Sequence, residues 1–140
     1  MLHPHHALIY VMVIISAADR EMTDHEMMMI GSIVRQLPLF KEFPIENLPK
    51  VAAECAKLLS GKSKIDQVLQ SIKQSIPSAV RETAYVIACD IAAADGQVSN
   101  EEARTLELLR TRLKIDQLIS SAIERTAKAR YMQMPKIKNQ

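Results

Sequence analysis

At 140 residues the chain is long enough to bury one core without disulfide or metal staples. Hydrophobic residues make up 48 % of it and glycine fills only 3 positions, which argues against disorder and a turn-rich β-protein. So little glycine also leaves no room for phosphate or dinucleotide loops, and a net charge of +2 is too small to call for nucleic acid.

In chain order, almost every segment reads with a period near 3.6 and none alternates as a strand. A first helix is expected from Pro4, tolerated in a first turn, to about Asp19. Its apolar stretch Ala7–Ala18 is shorter than the about 20 residues a bilayer requires, so it reads as a core helix. No secretory signal is visible at the start. A second helix is expected over Thr23–Leu37, with Met27, Ile30, Ile33, Val34 and Leu37 on one face, ended by Pro38. The third carries Leu48, Val51, Ala52, Cys55, Leu58 and Leu59 and stops at Ser60–Gly61. A fourth, over 63–76, carries Ile65, Val68, Leu69, Ile72 and Ile76. Beyond Pro77, Ser78 is the expected cap of a fifth helix that ends near Asp95–Gly96. The sixth covers Ser99–Leu113, and the seventh shows Ile115, Leu118, Ile119, Ala122 and Ile123 as one apolar stripe. From Met134 onward Pro, Lys and Asn suggest a frayed basic tail.

One pattern occurs twice. Ile15-Ser16-Ala17-Ala18-Asp19 returns as Ile91-Ala92-Ala93-Ala94-Asp95, followed by Thr23 and Glu26 in the first copy and by Ser99 and Glu102 in the second. The likeness is one of chemistry and spacing, and Ile45-Glu46-Asn47-Leu48 extends it onto Ile115-Asp116-Gln117-Leu118. The expected architecture is therefore a single all-α domain, a compact bundle of about seven helices built from two pseudo-repeated units. The units span about 4–60 and 78–131, with a bridging helix over 63–76 and a basic tail over 132–140. Such a duplication also predicts that the two acidic turns approach one another.

Thr23-Asp24-His25-Glu26 and Ser99-Asn100-Glu101-Glu102 both fit the capping box, which gives Glu26 and Glu102 a sufficient structural role. Asp19 and Asp95 each end a helix, where the dipole disfavours an anion. They either satisfy loop amides as Asx turns or contribute to a carboxylate ligand set suited to Ca²⁺ or Mg²⁺. Gly96 allows the second turn a positive φ, whereas Arg20 holds that place in the first. The run lacks the ligand spacing of an EF-hand. Asp90 interrupts an apolar run and needs a partner: an Arg, a hydroxyl or a metal.

The segment Ala-Ala-Ala-Asp95-Gly96-Gln97-Val98-Ser99-x-x-Glu102, between an apolar helix and an amphipathic one, resembles the TerB family of tellurite-resistance proteins. Ala17-Ala18-Asp19-Arg20-Glu21-Met22-Thr23-x-x-Glu26 repeats it with Arg in place of Gly, and the likeness covers about residues 7–130. The resemblance implies an all-helical cytoplasmic domain whose acidic residues chelate a divalent cation. Carried onto matching positions, the ligands are Asp19, Glu26, Asp95 and Glu102, with Asp90 as an accessory. It further implies a protein partner, a TerC-type membrane protein or a TerD-type domain protein, with a peripheral place at the inner membrane face as one option.

Other signals are weaker. His3, His5 and His6 form an N-terminal group of the kind that captures metal adventitiously, and no site is assigned to them. Met27 is expected in the core, with Met28 and Met29 in an adaptable surface. Cys55 and Cys89 sit in apolar helical patterns, where thiols are inert, so a reducing compartment is expected and no catalytic residue is assigned. Residues 104–140 hold nine Lys and Arg against three acids, which polarises the chain. The reading is a non-enzymatic module of a tellurite-resistance or stress-response system that binds a divalent cation and docks a partner. The alternative is an interaction domain without metal, its acids serving only as caps and turns. A metallohydrolase would need a cleft that the sequence does not identify.

Overall fold

A helix that is apolar on every side is stable only in an interior. The chain opens with such a helix, α1 (Pro4–Ser16), in which every residue from Ala7 to Ser16 is buried. Pro4 lies in its first turn, and the His3 ring accepts the N–H of His5 at 3.1 Å to cap it. The structure, a computed structural model, describes residues 2–61 and 64–137. Among these, α1 is followed by α2 (Asp24–Gln36), α3 (Leu48–Leu59), α4 (Lys64–Ser75), α5 (Arg81–Ala93), α6 (Asn100–Leu113) and α7 (Gln117–Arg130), and there is no strand.

Helix α5 is the second central element. Its Ala84, Ala88 and Ala92 recur once per turn, and these small buried side chains allow a close approach to α1. Around this pair, α3 and α4 pack on α1, α7 packs on α5, and α6 touches α1, α4 and α5. Leu8, Ile9, Ile14, Ile15, Leu69, Ile72 and Leu109 are almost wholly buried. Each such side chain contributes about 1.5–3 kcal/mol over leaving it exposed.

Several expected boundaries move inward. Helix α1 ends at Ser16 and α5 at Ala93, which frees both Asp19 and Asp95 to lie in turns. Ser78 does not cap α5: Pro77 leads into a 3₁₀ turn over Ser78–Val80, and Val80 precedes the helix without a side-chain cap. The Pro-containing connection likewise holds two 3₁₀ turns, Pro38–Phe40 and Ile45–Asn47. The bridging helix begins at Lys64, while Ser63 and Lys138 to Gln140 lie outside the described residues. Leu58, expected on the buried face of α3, is exposed. Met27 and Met29 pack partly buried against the core, and Met28 is exposed.

The largest departure is α7. Its cap is Asp116, whose carboxylate accepts the N–H groups of Leu118 and Ile119 at 3.1 and 3.3 Å. The helix packs so that Ser120 and Ala127 are buried, whereas Leu118 is 79 % and Ile119 37 % exposed. The expected apolar stripe thus lies largely outside the bundle. No helix among the described residues is long and apolar enough to cross a membrane.

Candidate functional site

Both capping boxes form. The Thr23 hydroxyl accepts the Glu26 N–H at 3.1 Å, and the Glu26 carboxylate accepts the Thr23 N–H at 2.8 Å. The second box repeats this at 3.0 Å for Glu102 N–H to Ser99 and 2.9 Å for Ser99 N–H to Glu102. Each ties a free amide at a helix start to a short side chain and a carboxylate. The same four residues therefore fix where two of the candidate carboxylates stand.

The turns before these boxes differ. In the second, the Asp95 carboxylate accepts the Gln97 N–H at 3.0 Å, an Asx turn, and Gly96 takes a φ of +89°. An L side chain at 96 would be strained and would meet Gln133 at 3.2 Å. In the first, Arg20 has no positive φ, and its exposed guanidinium reaches the carboxylates of its own corner. It donates to Asp19 at 3.1 Å and lies 3.8 Å from Glu26. The first acidic corner therefore carries its own counter-ion, and the second has Gly96 in that place.

Glu102 feels the charges of both corners. Burial pushes its carboxyl above the ordinary range, opposed by the hydrogen bonds from Ser99, and the charges of Asp19 and Asp95 push it further up. Asp19, Asp95 and Glu102 thus share one electrostatic neighbourhood, while Glu26 is held by its own box and Arg20. As they stand, no three His, Cys, Asp or Glu side chains among the described residues form a ready metal-holding group.

Asp90 has an Arg for a partner. Its side chain is 14 % exposed and accepts from Arg130 at 2.7 Å, which ties the end of α7 to α5. Burial raises its carboxyl despite that cation. The N-terminal histidines are also engaged: His5 meets the Leu39 carbonyl at 2.7 Å, and its ring packs against Phe40 and Phe43. Burial pushes the Cys55 and Cys89 thiols up to about 12, which keeps them protonated.

Two features had no signal in the sequence. One is Arg20 as a counter-ion, since its reach to Glu26 depends on the path of the turn. The other is a cavity of about 640 Å³ between α5, α6 and α7, bordered by Asp95 and Gly96 at one end. On its wall Glu124 accepts from Arg110 at 2.8 Å, and the buried Tyr85 donates to the same carboxylate.

Compared with known proteins, the chain matches a family model described as tellurite resistance protein TerB over residues 5–125. No curated protein and no solved structure matches it.

Proposed function

The chain belongs to the TerB family of tellurite resistance proteins, and on that premise we propose that it is a non-enzymatic binding module of such a resistance system. Its acidic junction takes a hard divalent cation, Ca²⁺ or Mg²⁺, through Asp19, Asp95 and Glu102, and another face docks a protein partner. The observation behind the cation is that the charges of both Asp19 and Asp95 act on the partly buried carboxylate of Glu102, which links the two acidic turns. Carboxylate oxygens are the donors that such cations prefer, and the set lacks the Cys and paired His that zinc favours.

The side chains fit the ion chemically and must shift to receive it. Arg20 already neutralises Asp19 and stands beside Glu26, so it competes with an incoming cation. When bound, the ion would neutralise the carboxylates and tie the α1–α2 turn to the α5–α6 turn. Glu26 then joins as a ligand only when Arg20 swings out, and Asp90 keeps Arg130. In this reading the module works in the cytoplasm, against a TerC-type membrane protein or a TerD-type domain protein.

A second reading, an interaction domain in which the acids act only as caps and turns, is favoured by the closed capping boxes and the Asp95 turn. Thermal denaturation in Ca²⁺ and in chelator separates the two. A cation that binds the folded state raises Tm with its concentration. The expected result is a rise in the intact protein that disappears in Asp95→Asn. Equal Tm in Ca²⁺ and chelator for the intact protein would leave the second reading in place.

A further inference from the structure

We propose that the outer face of α7 is the docking surface for an acidic amphipathic helix of a protein partner. This rests on the docking half of the function proposed above and needs no cation. Leu118 stands three and four residues before Ser121 and Ala122, Arg125 four and three after them, and Lys128 three further on, so the five form one continuous stripe along the helix. They also line a single shallow hollow of about 510 Å³. Helix α7 packs chiefly on α5, through the opposite side that bears Ser120 and Ala127. Leu118 is 79 % exposed, and Ile119 beside it widens the apolar end. A lone exposed leucine needs no explanation, but a contiguous apolar strip running into cations does.

The charge along the stripe defines the occupant. Arg125 and Lys128 make no ion pair among the described residues. Glu124, the one acid in the hollow, is already held by Arg110 at 2.8 Å. The hollow therefore presents an apolar end and an unneutralised cationic end. A helix with apolar side chains over Leu118 and Ala122, and Glu or Asp over Arg125 and Lys128, complements both. A second copy offering the same face brings no free acid to Arg125 and Lys128, because Glu124 is already held by Arg110. An anionic membrane is the poorer match, because interfacial helices insert bulky side chains, and here Ser121 and Ala122 floor a hollow.

The test is fluorescence anisotropy with a labelled synthetic helix of about five turns, Leu along one face and Glu on its flanks. The same helix with Lys for Glu, and phosphatidylserine-containing vesicles, serve as comparisons. The intact protein should bind the acidic helix saturably and more weakly as salt rises. Leu118→Glu, and Arg125→Glu with Lys128→Glu, should each weaken it about tenfold. All three positions are exposed, so the variants should fold, and circular dichroism checks this. No binding of the acidic helix, equal binding by Leu118→Glu, or binding of the vesicles or the basic helix in its place overturns the proposal. Each arm is run in Ca²⁺ and in chelator alongside calorimetry of Ca²⁺. Helix binding without any Ca²⁺ heat would sink the cation reading alone, and Ca²⁺ heat without helix binding would sink this one alone.

Discussion

Arg20 lies 3.1 Å from Asp19, in the place that Gly96 occupies in the second acidic turn. One residue thus separates a corner with a counter-ion from a corner without one. Replacing Arg20 by Gly removes the competing cation and should strengthen Ca²⁺ binding several-fold by calorimetry. The exposed pair itself is worth less than about 1 kcal/mol, so stability in chelator should change little. Unchanged or weaker Ca²⁺ affinity in Arg20→Gly would show that the guanidinium does not compete.

Glu102→Gln keeps a side chain that can complete the capping box and removes the charge. Glu102 has a raised folded pKa, so its contribution to stability is present below the unfolded value of about 4.3 and is lost as pH rises through the folded one. Relative to the intact protein, Glu102→Gln should therefore gain stability as pH rises across that window, measured by urea denaturation in chelator. Added Ca²⁺ should stabilise the intact protein and not the variant. The same difference at every pH and with or without Ca²⁺ would reduce Glu102 to a cap.

Thr23→Ala and Ser99→Ala each remove one hydroxyl of a closed capping box. Each should cost about 1 kcal/mol, or about 3 °C in Tm for a chain of this size. The two boxes share no hydrogen-bond partner, so the double variant should lose the sum. A sum exceeded by far would mean that the two turns are coupled through the junction between them.

Tyr85→Phe deletes a buried hydroxyl that donates to Glu124, a carboxylate that keeps Arg110 as its second partner. The expected cost is about 1 kcal/mol by denaturant unfolding, with Ca²⁺ binding unchanged. Loss of Ca²⁺ binding in this variant would place the cation in the cavity between α5, α6 and α7.

What the sequence makes legible is local. The capping boxes depend on residues three apart and form where Thr23, Glu26, Ser99 and Glu102 predict. The stop before Pro38 is equally local, because the ring forces Leu37 into extended backbone. The partners of Asp19 and Asp90 are not equally legible. Arg20 reaches Glu26 only through the path of the turn, and Arg130 reaches Asp90 only because α7 lies on α5. Periodicity marks Leu118, Ile119 and Ala122 as one apolar strip and cannot say whether another helix remains to cover it. Here none does among the described residues, because α7 packs on α5 through the side that bears Ser120 and Ala127.

The most direct test of the acidic junction is isothermal titration of the metal-stripped protein with Ca²⁺, Mg²⁺ and Zn²⁺, repeated on Asp19→Asn/Asp95→Asn. Saturable Ca²⁺ or Mg²⁺ heat in the intact protein, lost in the double variant, is the predicted result. Zn²⁺ heat that survives the substitutions would trace to the N-terminal histidines. No Ca²⁺ or Mg²⁺ heat in the folded intact protein, or heat that the double variant retains, would contradict a cation site at Asp19, Asp95 and Glu102.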